Sequence, residues 1–278
     1  MSKVDLHIHS TASDGRLSPE AVVRKSAELW MKLIALADHD SVDSFTPARA
    51  AAREFPGLVV IPATEISTDA PDGEIHILGY FMDYTDTGLE TSLARLRNSR
   101  EVRAQSMISR LANLDVHIDW KRVQEIAGRG AIGRPHLAQA MMEKGYISSI
   151  KEAFPKYIGR DGPAYVKREK ITPPEAVTLI LKTGGIPVLA HPFTTSEPEA
   201  IISELIPAGL AGIEAYYSSH TDEETERLAN LADRYGLITT VGSDYHGLDS
   251  AAEKMIGDIE APAAVTERLM ELARQKLA

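Results

Sequence analysis

Seven short runs of branched and apolar residues most constrain what this chain can fold into: VDLHIH (4–9), LIALADH (33–39), LVVIPATEI (58–66), EIHILGYF (74–81), IPVLAHP (186–192), GIEAYY (212–217) and ITTVGSDYH (238–246). Several are separated by amphipathic helix candidates. In SPEAVVRKSAELWMK, Ser18 is placed to cap the helix with Pro19 at its first position, and PPEAVTLILKTGG ends on a glycine pair. Near-continuous apolar strands alternating with helices predict a parallel α/β architecture.

Between the fourth and fifth runs the strand signal is absent from Met82 to about Lys170, roughly ninety residues, which is far longer than a simple crossover. The segment reads as helices: GLETSLARLRNSREVRAQSMISRLANL, DWKRVQEIAG, RPHLAQAMMEKG and SSIKEAFPKYI, with breaks at Gly128 to Gly133 and near Gly145. The expected organisation is therefore a barrel-like α/β domain, 1–82 with 171–278, into which a helical subdomain, 83–170, is inserted. PAAVTERLMELARQKLA reads as a closing helix.

The chemistry starts from VDLHIH. A strand alternates its faces with a period of two, so His7 and His9 are expected on one side and Leu6 and Ile8 on the other. Six of the nine histidines share such positions, at or just beyond a predicted strand or within one: His7, His9, His39, His76, His191 and His246. Acidic residues accompany them: Asp14 after the first strand, Glu65 at the end of the third and Asp244 after the last. In a parallel barrel these nine would face the mouth where active sites lie. Taken singly, each has an ordinary reading, as a boundary histidine, a turn aspartate or a polar residue on a wet face. Their joint occurrence points to metal.

The 278 residues include no cysteine, so any metal is held by nitrogen and oxygen, and thiolate sites are excluded. Imidazole mixed with carboxylate suits zinc, iron or manganese, and nine donors suffice for two or three ions. A net charge of −10 argues against duplex DNA as a partner. Divalent ions would outweigh the three carboxylates and make the pocket locally cationic, which favours a small anionic substrate. The absence of a signal-like start and of a long apolar span predicts a cytoplasmic protein that is not inserted in a membrane.

The order HxH, a turn aspartate, DH, E, H, HP and GSDxH resembles the PHP family, the polymerase and histidinol phosphatase domain of the amidohydrolase superfamily. TPPEAVTLILKTGGIPVLAHP, GIEAYYSSHTDEE and GSDYHG are similar to stand-alone bacterial members that hydrolyse phosphate esters. The long insert resembles that of nucleoside 3',5'-bisphosphate phosphatases more than that of histidinol phosphatases. The resemblance implies a distorted (β/α)7 barrel and a trinuclear centre. The first metal would be held by His7, His9, Glu65 and Asp244, with Glu65 bridging to a second that His76 and His191 complete. Asp14, His39 and His246 would hold the third. Where the family commonly reads TDHD, this chain has Ala37 before Asp38, so a hydrogen bond beside the site is expected to be missing. Asp38 itself is expected to orient a ligand histidine or to cap a turn.

The function so implied is hydrolysis of a small nucleotide phosphomonoester, the 3'-phosphate of a nucleoside 3',5'-bisphosphate, by a hydroxide bridging two of the metals. His7, His9, Glu65 and Asp244 would carry the catalysis, with His220 at the mouth contacting substrate or passing a proton. In the insert, Arg134, Pro135 and His136 open a helix, where guanidinium, imidazole and helix N-terminus could meet one anion. Lys156, Tyr165 and Lys167 are further candidates for substrate binding, and His117 is read as structural or surface. The alternatives are histidinol phosphate hydrolysis, 5'-to-3' exonuclease action on short RNA, and a metal-stabilised module without catalysis. Such a module should show decayed ligands, and none of the nine positions is decayed.

Overall fold

The computed structural model describes residues 3–70, 73–128, 132–167, 171–248 and 253–277. In chain order the elements are β1 (Val4–Ile8), α1 (Pro19–Glu28), β2 (Leu33–Leu36), α2 (Phe45–Ala52), β3 (Val59–Ile61), β4 (Ala63–Ala70) and β5 (Gly73–Tyr80). Then follow α3 (Thr87–Ala112), α4 (Trp120–Ala127), α5 (Arg134–Glu143), α6 (Ile150–Ala153), α7 (Pro173–Lys182), β6 (Ile186–Leu189) and α8 (Pro198–Leu205). The last are β7 (Gly212–Tyr217), α9 (Asp222–Tyr235), β8 (Ile238–Gly242) and α10 (Ala263–Leu277). The chain divides into two compact units, 1–91 with 171–278, and 92–170. Residues 129–131 of the expected helix break, and 168–170 at the expected end of the insert, lie outside the described residues. Among the described residues no helix is long and apolar enough to cross a membrane.

In the first unit, β1, β2 and β3 form a parallel sheet, and β4 to β8 form a second sheet in that order. The sequence reading of an all-parallel arrangement is corrected here. β5 pairs antiparallel with both β4 and β6, while β6, β7 and β8 are parallel. Ala70 pairs with Gly73, and strands joined by so short a link can only run antiparallel. The run LVVIPATEI, read as one strand, is two, because Pro62 has no N–H to continue a ladder and the chain changes sheets there. Glu65 is consequently the third residue of β4 and not a strand end. Between the two sheets, Ile8 pairs with Tyr245 and His39 with Glu65 as single parallel bridges.

Local chemistry explains the helix starts. The Ser18 hydroxyl accepts from the Ala21 N–H at 3.3 Å, with Pro19 inside the first turn. At α7 the Thr172 hydroxyl accepts from the Glu175 N–H, while the Glu175 carboxylate accepts from the Thr172 N–H at 2.7 Å. Apolar residues of β1 to β3 fill two clusters. One gathers Val4, Leu6, Leu33, Ile61, Leu78 and Val188; the other gathers Ile8, Val22, Ile34, Leu36 and Phe45 under α1 and α2. The β1–β2 register shifts between Asp5 and Ile8, so Leu6 and Ile8 enter different clusters.

The second unit is helical and has its own core, including Met107, Leu111, Val123, Leu137, Met141 and Ile158. The stretch expected to be one helix from Ser148 to Ile158 is the single turn α6 followed by a wide π turn, Phe154–Ile158. Pro155 accounts for the change, since it cannot donate and its ring obstructs regular α pairing. The ladder widens so that the Gly159 N–H reaches the Phe154 carbonyl at 2.7 Å.

Candidate metal centre

The first unit brings all nine expected ligand residues together in overlapping groups: His9, Asp14, His39 and His246; His7, Glu65 and His191; His7, His9 and Asp244; His39, Glu65 and His76. Within each group the candidate donor atoms lie within 4.8 Å of one another. β1 supplies His7 and, one residue beyond it, His9, with ring centroids 5.1 Å apart despite the register shift. His39 follows β2, His191 follows β6, and Asp244 and His246 follow β8. His76 stands inside β5 opposite Ser67 of β4.

Glu65 is the hub. Its Oε1 lies 2.7 Å from His76 Nδ1 and 3.0 Å from His191 Nε2, and its Oε2 lies 2.9 Å from His39 Nδ1 and 3.4 Å from both His7 Nε2 and His9 Nε2. Asp244 Oδ1 is 3.0 Å from His9 Nε2 and 3.4 Å from His7 Nε2. Asp14 faces His9, His39 and His246 at 3.5, 3.7 and 3.4 Å. Two of the nine, His191 (φ 27°) and Asp244 (φ 55°), have left-handed backbones, a conformation that persists only when the surroundings impose it.

The electrostatics follow from this packing. Burial opposes ionisation of Glu65, Asp14 and Asp244, but the neighbouring imidazoles outweigh it and hold all three carboxyls well below the usual carboxylate range. Burial lowers His9 and His76. For His246 burial acts in the same sense, yet the Asp14 carboxylate prevails and raises it to about 10.

The donor set fits divalent metal. His7 Nε2, His9 Nε2, His76 Nε2, His191 Nδ1 and Glu65 Oε2 are buried and make no hydrogen bond. Orphaned buried polar atoms are rare because each costs its full desolvation. Three of them meet, with His7 Nε2 and His9 Nε2 each 3.4 Å from Glu65 Oε2, and such a convergence of imidazole and carboxylate is what a borderline divalent cation would satisfy.

Other expected residues are distributed as follows. His220 belongs to none of the ligand groups. Its Nδ1 meets the Ala215 carbonyl at 3.0 Å, and its ring packs against Phe193 and Tyr217. In the second unit Arg134 is the first residue of α5, and its guanidinium lies over the Phe154 ring, 5.5 Å from the centroid. His136 is buried, and its Nδ1 accepts from the Gly133 N–H at 3.0 Å, so this imidazole caps its own helix. Lys156 is half-exposed and paired with Glu152 at 3.3 Å. The Tyr165 carbonyl accepts from Arg110, and Lys167 is exposed. The His117 backbone is tied to Tyr146 and Lys144. Asp38 reaches no histidine directly. Its carboxylate accepts from the Ser10 N–H and hydroxyl at 2.8 Å each and from the Ser13 hydroxyl at 2.6 Å, bracing the loop that follows His9.

Three residues escaped the sequence reading. Glu214, wholly buried in β7, contacts His7 Nδ1 at 2.9 Å and accepts from the His191 N–H at 2.8 Å. The Tyr217 hydroxyl donates to Asp244 Oδ2 at 2.7 Å. Asp5 accepts from the Ser243 and Gly257 N–H groups, and burial pushes its carboxyl up to about 6. A signal existed for Glu214, since GIEAYY places one carboxylate in an otherwise apolar strand.

No family model matches the chain. A relative from Escherichia coli K12 named 5'-3' exoribonuclease Rnm is 35% identical over 248 residues, covering 87% of this chain and 84% of its own. A relative from Chromobacterium violaceum named 3',5'-nucleoside bisphosphate phosphatase is 32% identical over 256 residues, 88% of each chain. The crystal structure of a proposed metal-dependent phosphoesterase from Bifidobacterium adolescentis superposes with a TM-score of 0.85 at 27% identity, covering 96% of this chain and 95% of that one.

Proposed function

The chain belongs to the PHP family of metal-dependent phosphoesterases and is a hydrolase, and from that membership we propose that it removes the 3'-phosphate from a nucleoside 3',5'-bisphosphate. The observation that carries the reading is the Glu65 hub, one carboxylate within reach of five imidazoles beside buried nitrogens that make no hydrogen bond. The bisphosphate is favoured by the Chromobacterium relative. The Escherichia relative supports a second reading, stepwise cleavage of short RNA from its 5' end. We propose that the first unit is a distorted relative of a (β/α)7 barrel in which β3 and β4 are one broken strand and β5 is reversed; the bridges Ile8–Tyr245 and His39–Glu65 between the two sheets support this reading.

His7, His9, Glu65 and Asp244, with His76 and His191, would hold two manganese, iron or zinc ions, and Asp14, His39 and His246 a third. Such ions supply Lewis acidity at a phosphoryl oxygen and lower the pKa of water. The protein's own groups do the rest. Against the opposing effect of burial, His7, with His9 and His246, holds the Asp244 carboxyl well below the usual range, and the Tyr217 hydroxyl, donating to Oδ2, fixes its orientation. Burial lowers His220, and its Nδ1–H is engaged by the Ala215 carbonyl, so Nε2 is the nitrogen that would take a proton from the attacking water and pass it to the leaving oxygen. The insert, 83–170, is assigned to substrate recognition: Arg134 and His136, with Lys156, Tyr165 and Lys167, would grip the second phosphate.

The test is a comparison of phosphate release from adenosine 3',5'-bisphosphate and histidinol phosphate with mononucleotide release from a short 5'-phosphorylated RNA, using protein of measured metal content. The proposal expects the bisphosphate to be turned over fastest, two or three ions per chain, and loss of activity on chelation. Preferred cleavage of the RNA would move the assignment to the second reading. Full activity with at most one ion would reject the trinuclear centre.

A further inference from the structure

We infer that Glu214 is a positioning residue of the metal centre that sets two histidines at once, fixing which nitrogen of His7 faces the metal and holding the His191 backbone; the inference rests on the metal-centre reading above. Glu214 is the third residue of β7 and has no exposure to solvent. A buried carboxyl there needs partners on both oxygens, and it has them: His7 Nδ1 is 2.9 Å from Oε1, and the His191 N–H donates to Oε2 at 2.8 Å.

A carboxylate can only accept, so His7 carries its hydrogen on Nδ1. Nε2 then bears the lone pair. That is the atom lying 3.4 Å from Glu65 Oε2 and from Asp244 Oδ1 without a hydrogen bond. The tautomer is thus chosen from β7, on the side of the ring away from the other ligands. His191 sits at φ 27°, ψ 64° and precedes Pro192, which disfavours the right-handed helical region for it. Its N–H is anchored by the second oxygen of the same carboxylate. Gly242 of β8 leaves the space this requires, since a Cβ there would come closer than 3.0 Å to both His7 Cβ and Glu214 Oε1.

Glu214→Gln tests the inference because it keeps the shape and removes one acceptor. The His191 N–H can only donate and takes the remaining oxygen. The amide NH2 then faces His7 Nδ1, which must accept, and the ring hydrogen moves to Nε2, where the metal should be. Metal-stripped wild type and variant would be titrated with zinc by equilibrium dialysis, with circular dichroism to confirm folding. Zinc affinity is expected to fall about 10–100-fold in the variant. In wild type loaded with cadmium-113, nitrogen-15 spectra should show cadmium coupling at His7 Nε2 and an attached hydrogen at Nδ1. Wild-type zinc affinity in a folded Glu214→Gln, or cadmium coupling at His7 Nδ1, would overturn the inference. The cadmium experiment decides alone if the variant does not fold. A wild type that takes up no zinc would sink the metal-centre reading and this inference with it, whereas equal affinities would sink only the inference.

Discussion

Gly242→Ala should be among the most damaging single-methyl additions in the first unit. Its Cβ would lie closer than 3.0 Å to His7 Cβ and Glu214 Oε1, and 3.3 Å from the His7 backbone nitrogen. His7 Cβ cannot rotate aside, because it is fixed to the backbone of β1. Relief to an ordinary carbon contact of about 3.5–4.0 Å therefore requires β1 and β8 to part by something on the order of 1 Å. Near this point the strands are linked by the Asp244 N–H to the His7 carbonyl at 2.8 Å and the His9 N–H to the Tyr245 carbonyl at 2.9 Å. Overpacking costs about 1–3 kcal/mol, and loss of one of these hydrogen bonds adds about 1 kcal/mol, so a total of about 3 kcal/mol is expected. For a protein of this size that lowers Tm by roughly 6–12 °C. The displaced strand ends carry His7, His9 and Asp244, so metal uptake should fall as well. Gly184→Ala is the control: it has a positive φ of 73° but nothing within 4 Å of its Cβ. Only the left-handed penalty of about 1–2 kcal/mol applies there, and metal content should be unchanged. Thermal denaturation with elemental analysis of both variants is the assay. A Gly242→Ala protein that melts with wild type and keeps its metal would refute the packing argument.

Glu65→Gln should lower both metal content and kcat, the latter by several orders of magnitude, while His117→Ala leaves both at wild-type values; equal losses in the two would mean that folding, not ligation, was being measured. Arg134→Ala should cost about 1.5–3 kcal/mol, roughly one to two orders of magnitude in kcat/KM, on adenosine 3',5'-bisphosphate and far less on adenosine 3'-monophosphate. Steady-state kinetics on the pair decides it, and equal losses would remove Arg134 from recognition of the second phosphate. Metal uptake should release protons: burial lowers His246, but Asp14 raises it to about 10, so at neutral pH the metal-free ring is charged and must lose a proton to ligate. Apparent zinc affinity should therefore be tighter at about pH 8 than at about pH 6, with proton release measurable in a weak buffer. A pH-independent affinity would contradict the assignment of His246.

The sequence alone determined what depends on local geometry and composition. The HxH spacing at the end of β1 made His7 and His9 neighbours even though the register shift separates Leu6 from Ile8, the serine and threonine caps placed α1 and α7, and the lack of cysteine confined any metal to nitrogen and oxygen donors. All nine ligand candidates were legible because histidines and carboxylates recur at strand ends or within strands, whichever way those strands pair. The antiparallel pairing of β4 with β5 has a signal in the sequence, since APDGE has the composition of a tight turn, and so does the change of sheet after β3, marked by Pro62 inside an apolar run. Only the tertiary structure made Glu65 the hub, since that role depends on β4 and β5 reversing direction beside the end of β2. It alone placed Glu214 behind His7, 207 residues away in sequence, and imposed left-handed backbones on His191 and Asp244. The physical reason is range: strand period and helix caps are set by atoms a few residues apart, whereas strand partnership, and which buried carboxylate meets which imidazole, is settled by burial across the whole unit.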